Sequence, residues 1–339
     1  MARAFRILSA YSLAAALALS APIRAHESIP AKPSKTAKSA PVRISALWRD
    51  RGNAQAVNLF YGPGGKEHQP AAGTFTFVKE DINGGSPKFD VIDSHGVHWK
   101  AKLGDEAKSE TAATRLLWAA GYYTDEDYYL PHIRVNSLPD LKRGQQFVSA
   151  NGVIHAVRLE RKIKGEKGGN WSWFDNPFVG TRELDGLRIL MTLINNWDLK
   201  EINNSIYVRN ARDVQYAVSD LGATFGQTGN TFTRSKSDPI EYSQTKFVQK
   251  VTSGHVDFHL KSRPFFLSTF DVPYYVERTR MQQVAKDIPV EHARWLGKLL
   301  GRLTDRQVRD CFRAAGYSPQ EVELSAATVR ERIDILSHL

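Results

Sequence analysis

Four polar residues near the middle of the chain have the types and the spacing that transfer of a phosphoryl group requires. The segment Trp197 to Asn204 reads WDLKEINN and supplies Asp198, Lys200 and Asn203, and Asp220 follows in VSDLG. Phosphoryl transfer needs a carboxylate beside the attacking hydroxyl and oxygen ligands that hold magnesium against the phosphates. Asp198 suits the first role, and Asn203 and Asp220 offer the hard oxygens that Mg2+ prefers. Lys200 would offset the charge of the transferred group.

The predicted elements around these residues decide between this interpretation and a purely structural one. DLK and DLG are common tripeptides, and Asn203 with its neighbour could simply form a turn after Asp198. Two short strands, 205–208 and 216–218, are predicted next, and the second ends just before Asp220. Upstream, apolar residues recur at helical spacing and stop before Asp198; they are Leu184, Leu187, Met191 and Ile194. The order helix, loop, hairpin and Asp-x-Gly favours the functional interpretation.

A glycine-rich turn is predicted upstream, within the segment NGGSPKFDVIDSHGVHWKAKLG at residues 83–104. Backbone N–H groups around Gly84, Gly85 and Ser86 can approach phosphates closely because no large side chain intervenes. Lys88 follows as a point charge. The turn and the strand after it are typical of a phosphate-binding hairpin.

A lysine from the next predicted strand could also reach the phosphates. Lys100 and Lys102 share one face of this strand because they are two residues apart, so either could point into a cleft. We favour Lys102, since it lies nearer the end of the strand.

The segment SETAATRLLWAAGY, residues 109–122, predicts a helix that Glu110 opens and that Gly121 ends. In protein kinases, a glutamate from the helix after the lysine strand pairs with that lysine and fixes it at the phosphates. Glu110 also has a simpler explanation, because the helix dipole favours an acidic residue at a helix N-terminus.

Together these segments resemble the protein-kinase-like superfamily, and the HipA-type and phosphoinositide 3- and 4-kinase-like branches more than ordinary protein kinases. GGSPK resembles the HipA-type glycine loop with its lysine, SETAATRLLWAAGY its glutamate helix, and LERK at residues 159–162 the segment that joins its lobes. The resemblance spans roughly Gly84 to the C-terminus. It implies an α+β, bilobal, protein-kinase-like fold with a small β-rich N-lobe and a mostly helical C-lobe.

The resemblance also implies roles for individual residues. Asp198 would be the catalytic aspartate, and Asn203 and Asp220 would be the metal ligands. Lys102 with Glu110 would position the phosphates. The implied cofactors are ATP and Mg2+ or Mn2+.

The chain departs from ordinary protein kinases at three places. Asn196 and Trp197 stand where His-Arg precedes the aspartate, Leu221 replaces Phe in the Asp-x-Gly, and no APE tripeptide follows. Regulation of the ordinary protein-kinase type is therefore not implied.

We therefore expect an exported, ATP-dependent phosphotransferase of atypical kinase type. Its hydroxyl acceptor is unknown and could be a protein, a lipid headgroup or a sugar. Two alternatives remain: nucleotidyl (AMP) transfer with ATP bound in the reverse sense, and a secreted pseudokinase or scaffold that binds a ligand without catalysis. The scarcity of free ATP outside the cytoplasm of bacterial-type cells favours the scaffold, whereas the complete Asp198, Asn203 and Asp220 set favours an enzyme.

The N-terminal residues predict export. Two arginines precede an apolar run over residues 7–21 that is too short to span a bilayer, and a small-residue site ends at Ala25. This pattern predicts a signal peptide over residues 1–25 and a periplasmic or secreted protein, with an uncleaved anchor as the alternative. A flexible linker is expected over 26–45, the N-lobe over 46–158 and the C-lobe over 159–339. No transmembrane helix is expected after signal cleavage.

The formal net charge is +10, and removal of Arg3, Arg6 and Arg24 with the signal peptide lowers it to +7. Such a basic surface could attract nucleotides, anionic lipid headgroups or acidic polymers, so charge alone does not choose among them. The sequence contains no recognisable nucleic-acid-binding module, and nucleic acid is not an expected partner. Cys311 is the only cysteine, which excludes a disulfide within the chain.

Overall fold

The computed structural model describes residues 44–162, 166–210, 213–228, 233–262 and 272–339. The predicted signal peptide, residues 1–25, lies outside these ranges. So does the predicted linker, residues 26–45, except for its last two residues.

The first strand, β1 (Ile44–Ala46), joins a sheet of the C-terminal half, and the next five strands close into a barrel. Alternation along the strands explains the barrel interior, because Phe89, Val91, Trp99 and Ala101 are buried in one cluster there. The barrel strands are β2 (Thr74–Asp81), β3 (Lys88–Ile92), β4 (His98–Leu103), β5 (Asp127–Asn136) and β6 (Val153–Arg161), and they neighbour one another in the order β2-β3-β4-β6-β5.

One helix, α1 (Asp105–Ala119), packs against the barrel. It begins directly after Gly104, whose φ of 85° turns the chain out of β4. Two acidic residues in its first turn interact favourably with the helix dipole. The sequence predicted a start near Ser109, which was wrong by one turn. Glu110 therefore does not open the helix, as predicted, but lies in its second turn. At the other end Gly121 has a φ of 101°, as expected after a helix C-terminus.

The C-terminal half is mostly helical, and its central helix is α2 (Arg182–Leu193). Thr181 caps α2, because its side-chain oxygen accepts a hydrogen bond of 3.2 Å from the Leu184 N–H. The other helices of this half are α3 (Pro239–Ser243), α4 (Val272–Gln283), α5 (Val290–Leu300), α6 (Asp305–Ala314) and α7 (Pro319–His338). Helix α7 packs against α5 closely, since a Cβ at Gly297 would lie 2.6 Å from the backbone nitrogen of Ser337.

Two small sheets lie in the described part of the C-terminal half. The first contains β7 (Glu166–Gly169), β8 (Asn204–Asn210) and β9 (Asp213–Val218), and β1 pairs in parallel with the outer edge of β9. The second contains β10 (Val248–Val251), β11 (His255–Phe258) and β12 (Ile288–Pro289). Strands β8 and β9 form an antiparallel hairpin that ends two residues before Asp220.

The predicted fold class is confirmed: the protein is α+β and bilobal, with a β-rich N-lobe and a mostly helical C-lobe. Within the described ranges, none of the helices combines the length and the apolar character needed to cross a bilayer.

Candidate active site

Lys102 and Glu110 form a buried ion pair at the junction of the barrel and α1. Lys102 is the second-to-last residue of β4, and its Nζ lies 2.8 Å from Glu110 Oε2. Their side chains are only 8% and 2% exposed. Lys100, the other lysine on this strand face, lies between Asp90 and Glu160 of the neighbouring strands. The structure therefore brings Lys102, and not Lys100, to Glu110.

A chain of buried charges holds Glu110 in place. Arg158 of β6 places Nη1 3.4 Å from Glu110 Oε2, and its Nε lies 2.8 Å from Asp127 Oδ2. Arg115 of α1 contacts the other oxygen of Asp127 at 2.7 Å. All four side chains are almost fully buried. Loss of one partner would leave an uncompensated charge in the interior, so the network fixes the position of Glu110.

Lys102 also connects the N-lobe to the Asp-x-Gly segment. Its Nζ lies 3.1 Å from Asp220 Oδ1 and 3.3 Å from Oε2 of Glu106, a residue of the first turn of α1. Asp220 Oδ1 additionally accepts a hydrogen bond of 3.4 Å from the Gly222 N–H. The structure thus brings the predicted lysine, the predicted glutamate and one predicted metal ligand to a single point.

These contacts shift the proton affinities of the cluster in different directions. Burial would lower the pKa of Lys102, but the carboxylates of Glu110, Asp220 and Glu106 outweigh it and raise this pKa above its usual value. Burial raises the pKa of Glu110 to about 7, although Arg158 and Lys102 act against it. Lys102 therefore stays protonated at neutral pH, and Glu110 is the group that titrates there.

The other two carboxylates of the cluster remain ionised. Burial would raise the pKa of Glu106, but Lys102 and Lys236 reverse the effect and lower it to about 2. Burial opposes ionisation of Asp220 as well, and Lys102 outweighs it, so that the pKa of Asp220 lies below its usual value. Negative charge is therefore concentrated around Lys102.

Asp198 lies in the loop after α2, and three neighbours orient it. Its N–H donates to Asn196 Oδ1 at 3.0 Å, which fixes the backbone. On the side chain, Oδ1 lies 2.8 Å from Arg278 Nη1 and 3.7 Å from Lys200 Nζ. Arg278, on α4, is only 4% exposed and also donates to the Trp197 carbonyl oxygen at 3.2 Å. One oxygen of Asp198 is thus held by Arg278, and within the described ranges the other oxygen has no protein partner.

Asn203 is joined to both neighbouring segments. Its Nδ2 donates to the Asp198 carbonyl oxygen at 3.0 Å, and its own carbonyl oxygen accepts from the Ser219 N–H at 2.9 Å. Because the Asp198 carbonyl oxygen holds Nδ2, Oδ1 on the other side of the amide points away from that contact. The hairpin β8–β9 therefore brings Asn203 beside Ser219, the residue before Asp220.

One oxygen of each of Asp198, Asn203 and Asp220 has no protein partner in the part of the chain that the structure describes. These atoms are Asp198 Oδ2, Asn203 Oδ1 and Asp220 Oδ2. An amide oxygen and a carboxylate oxygen fit Mg2+ or Mn2+, since Mg2+ is held by few protein ligands and keeps several waters. The described residues contain no group of three or more His, Cys, Asp or Glu side chains suited to a metal ion, so a denser metal site is not formed there.

The glycine loop lies between β2 and β3 and is anchored from the side. Gly84 is exposed with a φ of 70°, and its carbonyl oxygen accepts a hydrogen bond from Arg143. Arg143 also donates to the carbonyl oxygens of Asp81 at 3.0 Å and Asn83 at 3.2 Å. Gly85 is exposed at the tip of the same loop. The loop is therefore held in a defined shape while its tip stays open.

The two polar residues predicted beside the glycines differ in their contacts. Ser86 donates its hydroxyl to Glu106 Oε2, at the cluster around Lys102. Lys88 lies opposite Lys102 in the sheet, and its Nζ is 3.6 Å from Asp81 Oδ2. Ser86 is thus directed at the cluster, and Lys88 is paired with its own hairpin.

Five residues that shape this site were not predicted from the sequence: Glu106, Arg143, Arg158, Lys236 and Arg278. Glu106 follows Lys102 by four residues, and an acid in the first turn of the helix was a usable signal. The others come from distant segments; Arg278, for example, is 80 positions from Asp198. No local pattern identifies such partners.

No protein-family model and no curated protein matches this chain. Among solved structures, the proinflammatory kinase CtkA of Helicobacter pylori is 11% identical, with a TM-score of 0.44, over 79% of this chain and 98% of that one. The Golgi casein kinase with Mn/ADP bound is also 11% identical, with a TM-score of 0.31, over 75% of this chain and 72% of that one. A further structure of the Golgi casein kinase is 9% identical, covers 78% and 73%, and has a TM-score of 0.30. These similarities are distant, and they assign no activity to this chain.

Proposed function

We propose that this protein is an ATP-dependent phosphotransferase that moves the γ-phosphoryl group to a hydroxyl acceptor. The observation that carries the proposal is a set of three oxygens, on Asp198, Asn203 and Asp220, that have no protein partner among the described residues. The other polar atoms of these side chains are engaged, so the three oxygens are held in place for ligands. Such preorganisation is what phosphoryl transfer asks of a protein, because its catalysis is mostly positioning and electrostatic stabilisation.

Asp198 is assigned to the acceptor hydroxyl. Its Oδ2 accepts the hydroxyl hydrogen bond while Arg278 holds Oδ1 at 2.8 Å. As the acceptor oxygen bonds to the γ-phosphorus, the bond from that phosphorus to the β,γ-bridging oxygen breaks, and ADP leaves with the bond's electrons. The acceptor proton passes to Asp198 Oδ2 and then to solvent. Lys200, 3.7 Å from Asp198, offsets charge on the transferred group.

The nucleotide phosphates are assigned to the space between the glycine loop and Lys102. The backbone N–H groups of Gly84, Gly85 and Ser86 would face the phosphates. Lys102 would bind the same phosphates, with its ammonium group held in position by Glu110. Asn203 Oδ1 and Asp220 Oδ2 would hold Mg2+ or Mn2+, which when bound neutralises charge on the phosphate oxygens. Lys88 contributes positive charge from the base of the hairpin.

The acceptor is assigned to the outer side of the Asp198 loop. A cavity of about 380 Å3 lies there, lined by residues adjacent to Asp198 in the chain and by residues of α4. Ile202, at its edge, is 71% exposed. We therefore place the acceptor in this cavity, next to the segment that follows Asp198. Its lining includes Trp173, Phe174, Leu199, Ile202 and Met281.

Export remains part of the proposal. It rests on the predicted signal peptide over residues 1–25, and it places the activity in the periplasm or outside the cell. Fractionation of cells that express the full chain tests this, since a cytoplasmic protein of full length would contradict it.

The test of the activity uses the chain without residues 1–25, Mg2+ or Mn2+, and ATP labelled at the γ-phosphate. We expect self-labelling or ATP turnover that falls at least a hundredfold in Asp198→Asn and Asp220→Ala and is unchanged in Asp334→Asn, an exposed carboxylate of α7. Transfer of label from the α-phosphate instead would show nucleotidyl transfer. ATP binding without any transfer, equal in all variants, would favour the pseudokinase, and absence of binding would contradict both.

A further inference from the structure

The carboxylate of Glu106 is the meeting point of three separate segments. Its Oε2 lies 3.3 Å from Lys102 Nζ of β4 and accepts a hydrogen bond from Ser86 of the glycine loop. Its Oε1 lies 2.5 Å from Nζ of Lys236, which follows Asp220 by 16 residues. Two ammonium groups and a hydroxyl therefore surround one carboxylate, directly beside Lys102.

The backbone around Lys236 is fixed by hydrogen bonds to the Asp-x-Gly segment and α1. The Ser235 N–H donates to the Gln227 carbonyl oxygen at 2.8 Å, and the Ser237 N–H donates to that of Thr224 at 3.1 Å. The Ser237 hydroxyl donates to the Asp105 carbonyl oxygen at 2.6 Å. The Lys236 side chain itself is 33% exposed. The backbone of this segment is thus fixed, whereas the partly exposed Lys236 side chain has room to exchange Glu106 for another anion.

Charge balance shows why a second cation is needed there. Glu106, Glu110 and Asp220 all lie within 3.3 Å of the Lys102 ammonium group. Arg158 contacts Glu110, and Asp220 would hold the metal ion, so Glu106 is the carboxylate beside Lys102 that would still repel the anionic phosphates. Lys88 and Lys200 form their ion pairs with Asp81 and Asp198, so neither offsets the charge of Glu106 itself.

We propose that Lys236 is a second phosphate-binding lysine, which contacts the terminal phosphates of the bound nucleoside triphosphate. Glu106 lies between Lys236, Lys102 and Ser86, where we place an oxygen of the terminal phosphates. When the triphosphate binds, Lys236 transfers its ammonium hydrogen bonds from Glu106 to the phosphates. This inference rests on the proposed function and adds a contact from the segment after the Asp-x-Gly.

The test measures the affinities of ATP and adenosine by calorimetry in the presence of Mg2+, using the chain without residues 1–25. Lys236→Met should weaken ATP binding about tenfold, the size of one lost charge-assisted contact, and should leave adenosine binding unchanged. Lys236→Arg should restore most of the ATP affinity. The matched control is Lys298→Met, which removes one exposed lysine from α5.

A second comparison separates direct contact from mere screening of Glu106. If Lys236 only neutralises Glu106, then Lys236→Met should have no effect in a Glu106→Gln background. Direct contact predicts that the loss persists there, at threefold or more. A matched loss of adenosine affinity, or loss only when Glu106 is present, would overturn the inference.

The outcomes also distinguish this inference from the function on which it rests. Wild-type protein that binds and turns over ATP, with Lys236→Met equal to it, would overturn the role of Lys236 alone. Wild-type protein that binds no ATP would overturn the proposed function and the inference together. Thermal unfolding of each variant shows whether the fold is intact.

Discussion

Replacement of Glu110 by glutamine should change how the stability of the protein depends on pH. Burial raises the pKa of Glu110 from an ordinary 4.5 to about 7. Between these two values the folded protein holds a proton that the unfolded chain has released. The contribution of Glu110 to stability is therefore fully present below pH 4.5 and is lost as pH rises through 7.

The size of the effect follows from the shift. Between pH 4.5 and about 7, the free energy of unfolding falls by about 1.4 kcal/mol per pH unit, or about 3 kcal/mol in all, because the folded protein alone keeps the Glu110 proton. Glu110→Gln keeps the shape of the side chain but cannot titrate, so the variant lacks this slope. Glu106 and Asp220, whose pKa values are lowered, contribute stability that is lost only below this window and in both proteins alike.

Urea unfolding at half-unit steps from pH 4.5 to 8 measures the difference. We expect the wild-type free energy of unfolding to fall relative to that of Glu110→Gln by about 3 kcal/mol between the ends of the series. Glu67→Gln, at an exposed residue, is the control and should run parallel to the wild type. Parallel curves for wild type and Glu110→Gln would refute the conclusion that burial controls this carboxyl.

Two further substitutions probe other parts of the charge network. Asp127→Ala should lower the free energy of unfolding by about 3–5 kcal/mol, because it leaves buried Arg115 and Arg158 without their shared carboxylate. Urea unfolding measures this loss, and a loss below about 1 kcal/mol would contradict the prediction. Arg278→Met should lower kcat about tenfold or more with little change in the KM for ATP, because it releases Oδ1 of Asp198 while the phosphate site stays intact. Steady-state kinetics with Arg278→Lys as the conservative comparison tests this, and an unchanged kcat would show that Arg278 serves only the fold.

Local patterns in the sequence were enough to predict the elements that carry the site. The helix before Asp198, the hairpin after it and the strand of Lys102 have strong periodicity, and the structure has them as α2, β8–β9 and β4. The start of α1 was missed because the prediction followed the apolar stripe. The first turn of α1 is instead set by Gly104 and by the acidic residues after it, which include Glu106.

Partners that come from distant segments could not be predicted in this way. Arg278 reaches Asp198 only because α4 packs beside the loop after α2, and Lys236 reaches Glu106 only because its segment returns to α1. Neither residue has a distinctive sequence neighbourhood. Tertiary packing, which a single sequence does not reveal, decides these contacts.

The parallel pairing of β1 with β9 sets a lower limit on how far the chain can be trimmed. Residues 44–46 cover the edge of the strand that leads to Asp220, through register partners 213–215. A protease that removed everything up to residue 43 would leave this pairing intact. Cleavage only a few residues later would expose the backbone N–H and C=O groups of β9, an edge open to pairing with other chains. The shortest fragment that keeps this pairing therefore begins at Ile44.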